Sequence, residues 1–308
     1  MTIDEFAIKV KNAFMKEGEE KEIKISKVLK NNGICLTGIS IPDEIHNMTP
    51  TVYLDEYLED YENGTPFASI MKRIRQMTEY RDAEISFDLK AFMSFATARD
   101  RIVYKLINAE MNEALLKEVP HERFLDMAKV FYYVLSDQGE KQASILIYNG
   151  HMQGWGIDTE ALAECAAENT PRLLPGRIYD INELIRKMMP ADAVFFDPDC
   201  GANDIMYVLT NERKYFGAAC MLYEGKLKEF SERIGGSFYI LPSSVHELIL
   251  LRETGDEDPA ALVDMVNEVN ESQVAADEVL SGSVYRYDRE TANISVFGRS
   301  TAGFAAYS

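Results

Sequence analysis

The chain has 308 residues, 46% of them hydrophobic and 10% aromatic, enough apolar material for one large core or two ordinary ones and too much for disorder as the default state. Its 51 acidic against 32 basic residues give a net charge of -19, which repels a phosphate backbone and disfavours direct nucleic-acid binding. No stretch approaches the roughly 18 apolar residues of a membrane span, and Met1-Thr2-Ile3-Asp4-Glu5 lacks the basic and apolar blocks of a secretory signal, so no membrane association and a cytoplasmic setting are expected.

The first element is a helix. Thr2 and Glu5 have capping-box spacing, and Ile3, Phe6, Ala7, Val10 and Phe14 recur near a period of 3.6. Ile23 and Ile25 then alternate with lysines, and Asn31-Asn32-Gly33 precedes Ile34, Leu36, Ile39 and Ile41. Asn-Gly accepts the positive φ angles of a tight hairpin turn, so a hairpin is expected here. Tyr53, Leu54, Tyr57, Leu58 and Tyr61 share one helical face. After Asn63-Gly64, a capping Thr65 and a first-turn Pro66 open another helix lined by Phe67, Ile70, Met71, Ile74 and Met77. Residues 80–84 are mostly polar and read as a link.

Further on, the apolar runs 124–135 and 143–148 flank a turn-like segment, 136–140, and suggest a second hairpin, with a helix as the competing assignment for the first run. Ile157, a capping Asp158 and Leu162 have the spacing of a hydrophobic staple, and that helix is expected to stop before Pro171. Strands are expected at 193–196, 206–209 and 216–222, followed by a helix over Leu227, Phe230 and Ile234 that ends at Gly235-Gly236. Strands at 238–241 and 248–251 surround Pro242-Ser243-Ser244. A helix capped by Asp258 begins at Pro259, and strands at 284–287 and 294–297 close the order.

This pattern reads as an α+β protein. A helix-hairpin-helix-helix module fills residues 1–80, and a larger mixed α/β domain fills 81–308, ending in a strand-helix-hairpin-helix-strand unit. There is no G-x-x-x-x-G-K-[ST] and no G-x-G-x-x-G after a strand, so no nucleotide cofactor is indicated. No long internal repeat or low-complexity tract occurs.

The densest polar constellation is Leu241-Pro242-Ser243-Ser244-Val245-His246-Glu247, between two apolar runs. Hydroxyl, imidazole and carboxylate are the parts of a nucleophile, base and orienter, which makes Ser243, Ser244 and His246 the candidate catalytic residues of a hydrolase. At a strand-to-strand turn, however, Ser244 and His246 face one side and Glu247 the other, and the G-x-S-x-G elbow is missing. The favoured reading is that these hydroxyls and His246 satisfy backbone groups in a tight turn. Asn211 and Glu247 are the polar candidates for ligand contact.

Other features favour structural readings. Residues 197–204 alternate oxygen-bearing side chains, but an EF-hand needs Gly and Glu where Ala202 and Val208 stand. His46, His121, His151 and His246 are scattered, no His-Glu-x-x-His occurs, and Cys35, Cys165, Cys200 and Cys220 form no Cys-x-x-Cys pair, so no metal site is indicated and reduced thiols are expected. Trp155 reads as a core plug before a stacking platform. Tyr285-Arg286-Tyr287-Asp288-Arg289 reads as a salt-bridged edge strand. The acidic runs 17–22, 55–62 and 253–258 read as solvated surface; a protein that mimics nucleic-acid charge needs carboxylates at regular spacing over one face.

Several separated blocks also carry a resemblance. They include Lys30-Asn31-Asn32-Gly33, Val119-Pro120-His121, Trp155-Gly156-Ile157, Asn169-Thr170-Pro171, the segment 206–211, Phe216-Gly217-Ala218-Ala219, the Leu241 to Glu247 block and Val284-Tyr285-Arg286-Tyr287-Asp288-Arg289. In this order they resemble an uncharacterised family common in gut Firmicutes, over most of the chain. The carboxy-terminal part is distantly similar to a second uncharacterised, Bacillus-type family. The resemblance implies a bacterial, cytoplasmic protein and brings no established activity. The functional expectation is a non-enzymatic binding or regulatory protein with a protein or small-molecule partner. The alternatives are a hydrolase using Ser243 or Ser244 with His246, and an acidic decoy of nucleic acid.

Overall fold

The computed structural model describes residues 1–16, 22–42, 51–79, 89–135, 144–181 and 206–300. The link at 80–84, the turn at 136–140, the strand expected at 193–196, the polar run 197–204, most of the acidic run 17–22, His46 and Cys200 lie outside the described residues. The chain is α+β, with helices and three antiparallel sheets among the described residues, and it forms two compact units, Met1–Leu89 and Lys90–Ser308.

In the first unit, helix α1 (Ile3–Lys16) starts on a reciprocal cap: the Glu5 N–H donates to Thr2 Oγ1 at 3.2 Å, and the Thr2 N–H donates to Glu5 Oε2 at 3.0 Å. Strands β1 (Lys24–Leu29), β2 (Cys35–Ser40) and β3 (Thr51–Tyr53) make a sheet in the order β1-β2-β3. Asn32 and Gly33 take φ of 59° and 73° in the β1–β2 turn, as an Asn-Gly pair permits. Helices α2 (Asp55–Glu62) and α3 (Phe67–Glu79) follow. Tyr53 and Leu54, expected on a helical face, instead end a strand and stand just ahead of α2, because Val52 pairs with Ile39 and draws the segment into the sheet. The core gathers Phe6, Val10 and Phe14 from α1, Ile39 and Val52 from the sheet, and Ile70 and Ile74 from α3. Each such side chain contributes about 1.5–3 kcal/mol on burial. Strand β1 is an edge strand with largely exposed side chains, and Lys24 and Lys27 lie along it.

In the second unit, short helices α4 (Leu89–Met93) and α5 (Phe95–Ala98) lead into β4 (Ile102–Asn108). Helix α6 (Glu113–Leu116) and strands β5 (His121–Phe124), β6 (Met127–Val134) and β7 (Ser144–Leu146) follow. Strand β6 is the centre of this sheet: β4 pairs along one side, and β5 and β7 pair with successive halves of the other. Nearly every residue of β4 and β6 is buried, which requires cover on both faces. The 124–135 run is therefore strand from Met127, and the helix alternative falls.

Helices α7 (Asn149–Trp155) and α8 (Thr159–Leu173) come next. Asp158 Oδ1 accepts from the Ala161 N–H at 2.9 Å. Helix α8 does not stop before Pro171 but runs through it to Leu173. Its last turns are bolted to β4: Asn169 Nδ2 donates to the carbonyls of Arg99 at 2.7 Å and Ile102 at 3.0 Å, and Thr170 Oγ1 accepts from the Tyr104 N–H at 3.1 Å. These tertiary bonds outweigh the local penalty of proline.

The third sheet contains β8 (Gly176–Asp180), β9 (Met206–Asn211), β10 (Phe238–Pro242), β11 (Leu248–Arg252), β12 (Val284–Asp288) and β13 (Asn293–Gly298), in the order β13-β12-β10-β11-β9-β8. Alternation along β10 decides what packs where. Phe238 meets Phe230 of α9 (Lys226–Ile234) edge to face at 4.9 Å, while Tyr239 and Leu241 pack against Leu262, Val263 and Val266 of α10 (Pro259–Gln273).

Two expectations are corrected here. Residues 216–222 are not a strand: Gly217–Leu222 forms a 3-10 turn after Phe216, whose φ of 54° breaks the extended path. Strand β12 is not an edge, since it lies between β10 and β13. Arg286 is nevertheless ion-paired, with Glu253 at 2.8 Å and Asp288 at 2.7 Å.

Candidate functional site

The bend between β10 and β11 carries Ser243, Ser244, His246 and Glu247. Its backbone closes on itself, with the N–H groups of Ser243 and Ser244 donating to the Glu247 carbonyl at 3.3 and 3.2 Å. The Ser244 hydroxyl accepts from the His246 N–H at 3.0 Å, the local hydroxyl-to-backbone bond that serine makes in turns. The Ser243 hydroxyl and the Glu247 carboxylate have no hydrogen-bond partner among the described residues, and both residues are half-buried.

Two other segments meet this bend. From the end of β9, Thr210 Oγ1 donates to the His246 carbonyl at 2.8 Å, and from the loop that follows it the Phe216 N–H donates to His246 Nδ1 at 3.1 Å. From the 3-10 turn Ala276–Glu278, the Glu278 carbonyl accepts from the Val245 N–H at 2.8 Å, and Glu278 Oε1 lies 3.2 Å from His246 Nε2. Because Nδ1 accepts an amide proton, the neutral ring carries its own proton on Nε2 and donates it to Glu278. Both ring nitrogens are thus committed to structural partners. Phe216 stacks on the imidazole with 8° between the planes and 5.6 Å between centroids, and Lys105 Nζ sits over the Phe216 ring, 4.0 Å from its centroid.

Asn211 is fully buried and works within the loop that delivers Phe216. Its Nδ2 donates to the Tyr215 carbonyl at 2.7 Å, and its Oδ1 accepts from the Arg213 and Tyr215 N–H groups at 3.0 and 3.3 Å. Burial raises the Tyr215 phenol above its ordinary value, a hydrogen bond with Ser144 opposes that, and the Glu278 charge adds to it. Gly217 allows the close approach: a Cβ there would stand 2.1 Å from Thr210 Oγ1 and 2.5 Å from the His246 carbonyl oxygen.

A second polar cluster joins the β5–β6 turn to the start of β12. Asp126 Oδ2 accepts from the hydroxyls of Ser281 at 2.7 Å and Ser283 at 3.0 Å, and Asp126 Oδ1 accepts from Tyr285 at 2.5 Å. Burial first, then the Asp126 charge, drives the Tyr285 phenol far above its usual range, so it stays a donor. Leu125, at φ 54°, turns the chain so that Asp126 faces these hydroxyls.

The sequence picks out the serines and the imidazole but not their partners. Glu278 and Phe216 stand 32 and 30 positions from His246, and no local spacing signals either contact. The Asp126 cluster spans more than 150 positions and has only the Ser281-x-Ser283-x-Tyr285 alternation as a trace. Trp155 is a half-buried plug: its Nε1–H donates to the Phe92 carbonyl at 2.9 Å, and its ring meets Phe92 at 5.4 Å. Among the described residues no group of three or more His, Cys, Asp or Glu side chains is arranged to hold a metal ion, and no helix is long and apolar enough to cross a membrane.

These features define an α+β protein whose most polar bend is tied down by its own backbone. The chain belongs to a family of unknown function, DUF5688, whose model matches residues 3–289. No curated protein and no solved structure matches it.

Proposed function

We propose that this chain is a non-enzymatic binding or regulatory protein of the cytoplasm, acting on a protein or small-molecule partner. The observation that carries the reading is the commitment of His246. A general base needs a free ring nitrogen within reach of the nucleophile's proton. Here Nδ1 accepts from Phe216, Nε2 faces Glu278, and the Ser244 hydroxyl accepts from a backbone amide. Among the described residues the exposed thiol Cys35 and the buried thiols Cys165 and Cys220 are free, which suits a reducing compartment.

The competing hydrolase is tested by a fluorophosphonate probe with peptide mapping by mass spectrometry, alongside turnover of p-nitrophenyl acetate. The expected result is no adduct at Ser243 or Ser244 and no hydrolysis above that of a denatured control. An adduct at either serine that disappears in His246→Ala, with the fold intact by circular dichroism, would overturn the reading.

A further inference from the structure

Between β8 and α9 lies a cleft of about 190 Å³ lined by Gly176, Arg177, Ile178, Lys226, Glu229, Phe230 and Arg233. Three of these residues are cationic and one is acidic, in a chain whose net charge is -19. A local reversal of sign inside a strongly acidic molecule attracts an anion that the rest of the surface repels.

The three cations are not equivalent. Lys226 faces Glu229 at 3.4 Å, and Arg177 pairs with Glu212, which does not line the cleft. Arg233 has no carboxylate partner among the described residues. Its guanidinium carbon lies 5.0 Å from the Tyr207 ring centroid and 5.1 Å from that of Phe230, so the fork is held by aromatic faces while its N–H edge stays unspent. The underlying rings are themselves fixed, Tyr207 and Phe230 meeting edge to face at 4.9 Å. A planar donor fork beside a lysine point charge is the arrangement that recognises a phosphate group, and Ile178 and Phe230 add apolar wall for an attached carbon group.

We propose that this cleft binds the phosphate group of a small phosphomonoester, with Arg233 as the principal donor and Lys226 and Arg177 as flanking charges. The proposal rests on the reading of the chain as a binding protein and gives that reading a ligand class. Glu229 is the one acidic lining residue and opposes the anion, so its removal strengthens binding.

The test is isothermal titration of the full chain with phenyl phosphate, inorganic phosphate, benzoate and phenol. Phenyl phosphate is expected to bind more tightly than inorganic phosphate, and benzoate and phenol to give no saturable heat. Arg233→Gln should weaken phenyl phosphate by about tenfold or more, the cost of losing a charge-assisted pair, and Glu229→Gln should tighten it several-fold, a gain that misfolding does not produce. No saturable binding of either phosphate, equal affinity in Arg233→Gln and the parent chain, or benzoate binding as well as phenyl phosphate overturns the proposal. Release of phenol is followed in the same samples. Turnover would sink the non-enzymatic reading and leave the site standing, whereas absent binding would sink the site and leave that reading intact.

Discussion

Phe216 holds His246 twice, once through its backbone amide on Nδ1 at 3.1 Å and once through its ring, stacked 5.6 Å away. One residue thereby fixes both the tautomer and the plane of the imidazole. That double hold requires Phe216 to sit at φ 54°, a conformation that costs a non-glycine residue about 1 kcal/mol or more and persists because the surrounding bonds over-determine it.

The hold makes His246 a structural residue with a measurable weight. His246→Ala leaves the Phe216 amide without its acceptor and is expected to lower stability by about 1–3 kcal/mol, whereas Ser244→Ala removes a single local bond and is expected to cost about 1 kcal/mol. Urea denaturation of both variants provides the comparison. A His246→Ala chain as stable as the parent would contradict the clamp.

Gly217 stands where the end of β9 meets the β10–β11 bend. An alanine Cβ would stand 2.1 Å from the Thr210 Oγ1 side-chain oxygen and 2.5 and 2.8 Å from two backbone atoms, the His246 carbonyl oxygen and the Asn211 amide nitrogen. Gly217→Ala is expected to destabilise by roughly 3 kcal/mol through overpacking alone, since the glycine φ is not in the left-handed region. Thermal melts of this variant beside Gly236→Ala, where a Cβ meets nothing within 4 Å, isolate the steric effect.

Asp126 gathers the hydroxyls of Ser281, Ser283 and Tyr285 on one carboxylate. Asp126→Ala should cost about 2–4 kcal/mol, and Ser283→Ala, which removes one donor and leaves the carboxylate two, about 1 kcal/mol. Chemical denaturation midpoints distinguish the two. Similar losses in both would mean that the carboxylate is not the hub.

Glu257 sets a pH window. Desolvation opposes its charge, but the Thr254 hydroxyl and N–H, each at 2.7 Å, and the Gly255 N–H at 2.9 Å prevail and hold the carboxyl down to about 2. A folded value below the ordinary glutamate value of about 4.3 means that its contribution is complete above that value and is lost as pH falls toward about 2. The parent chain should therefore be more stable than Glu257→Gln at neutral pH, with the gap narrowing as the medium is acidified through that range. Melting temperatures of both chains across the series measure it, and a gap that does not change with pH would refute the assignment.

Legibility followed locality. The α1 cap, the Asn32-Gly33 turn, the Asp158 and Asp258 caps and the helix over Leu227, Phe230 and Ile234 all depend on neighbours within one or two turns, and all are readable from spacing. Strand β4 was not, because burial on both faces erases the alternation that marks a half-exposed strand. The local penalty of Pro171 is visible in the sequence, whereas the Asn169 and Thr170 bonds to distant backbone that carry α8 through it are not. At the polar bend the residue types suggested a nucleophile and base, while the partners that occupy them came from segments about thirty positions away in either direction.

Trp155 is the only tryptophan in the chain, and it lies within the unit Lys90–Ser308, wedged against Phe92 with its indole N–H bonded to that residue's carbonyl. Its fluorescence is therefore a private reporter. Emission shifts will follow the loss of the Phe92 packing within the larger unit, so a transition seen by ellipticity without a matching change in indole colour lies away from that contact.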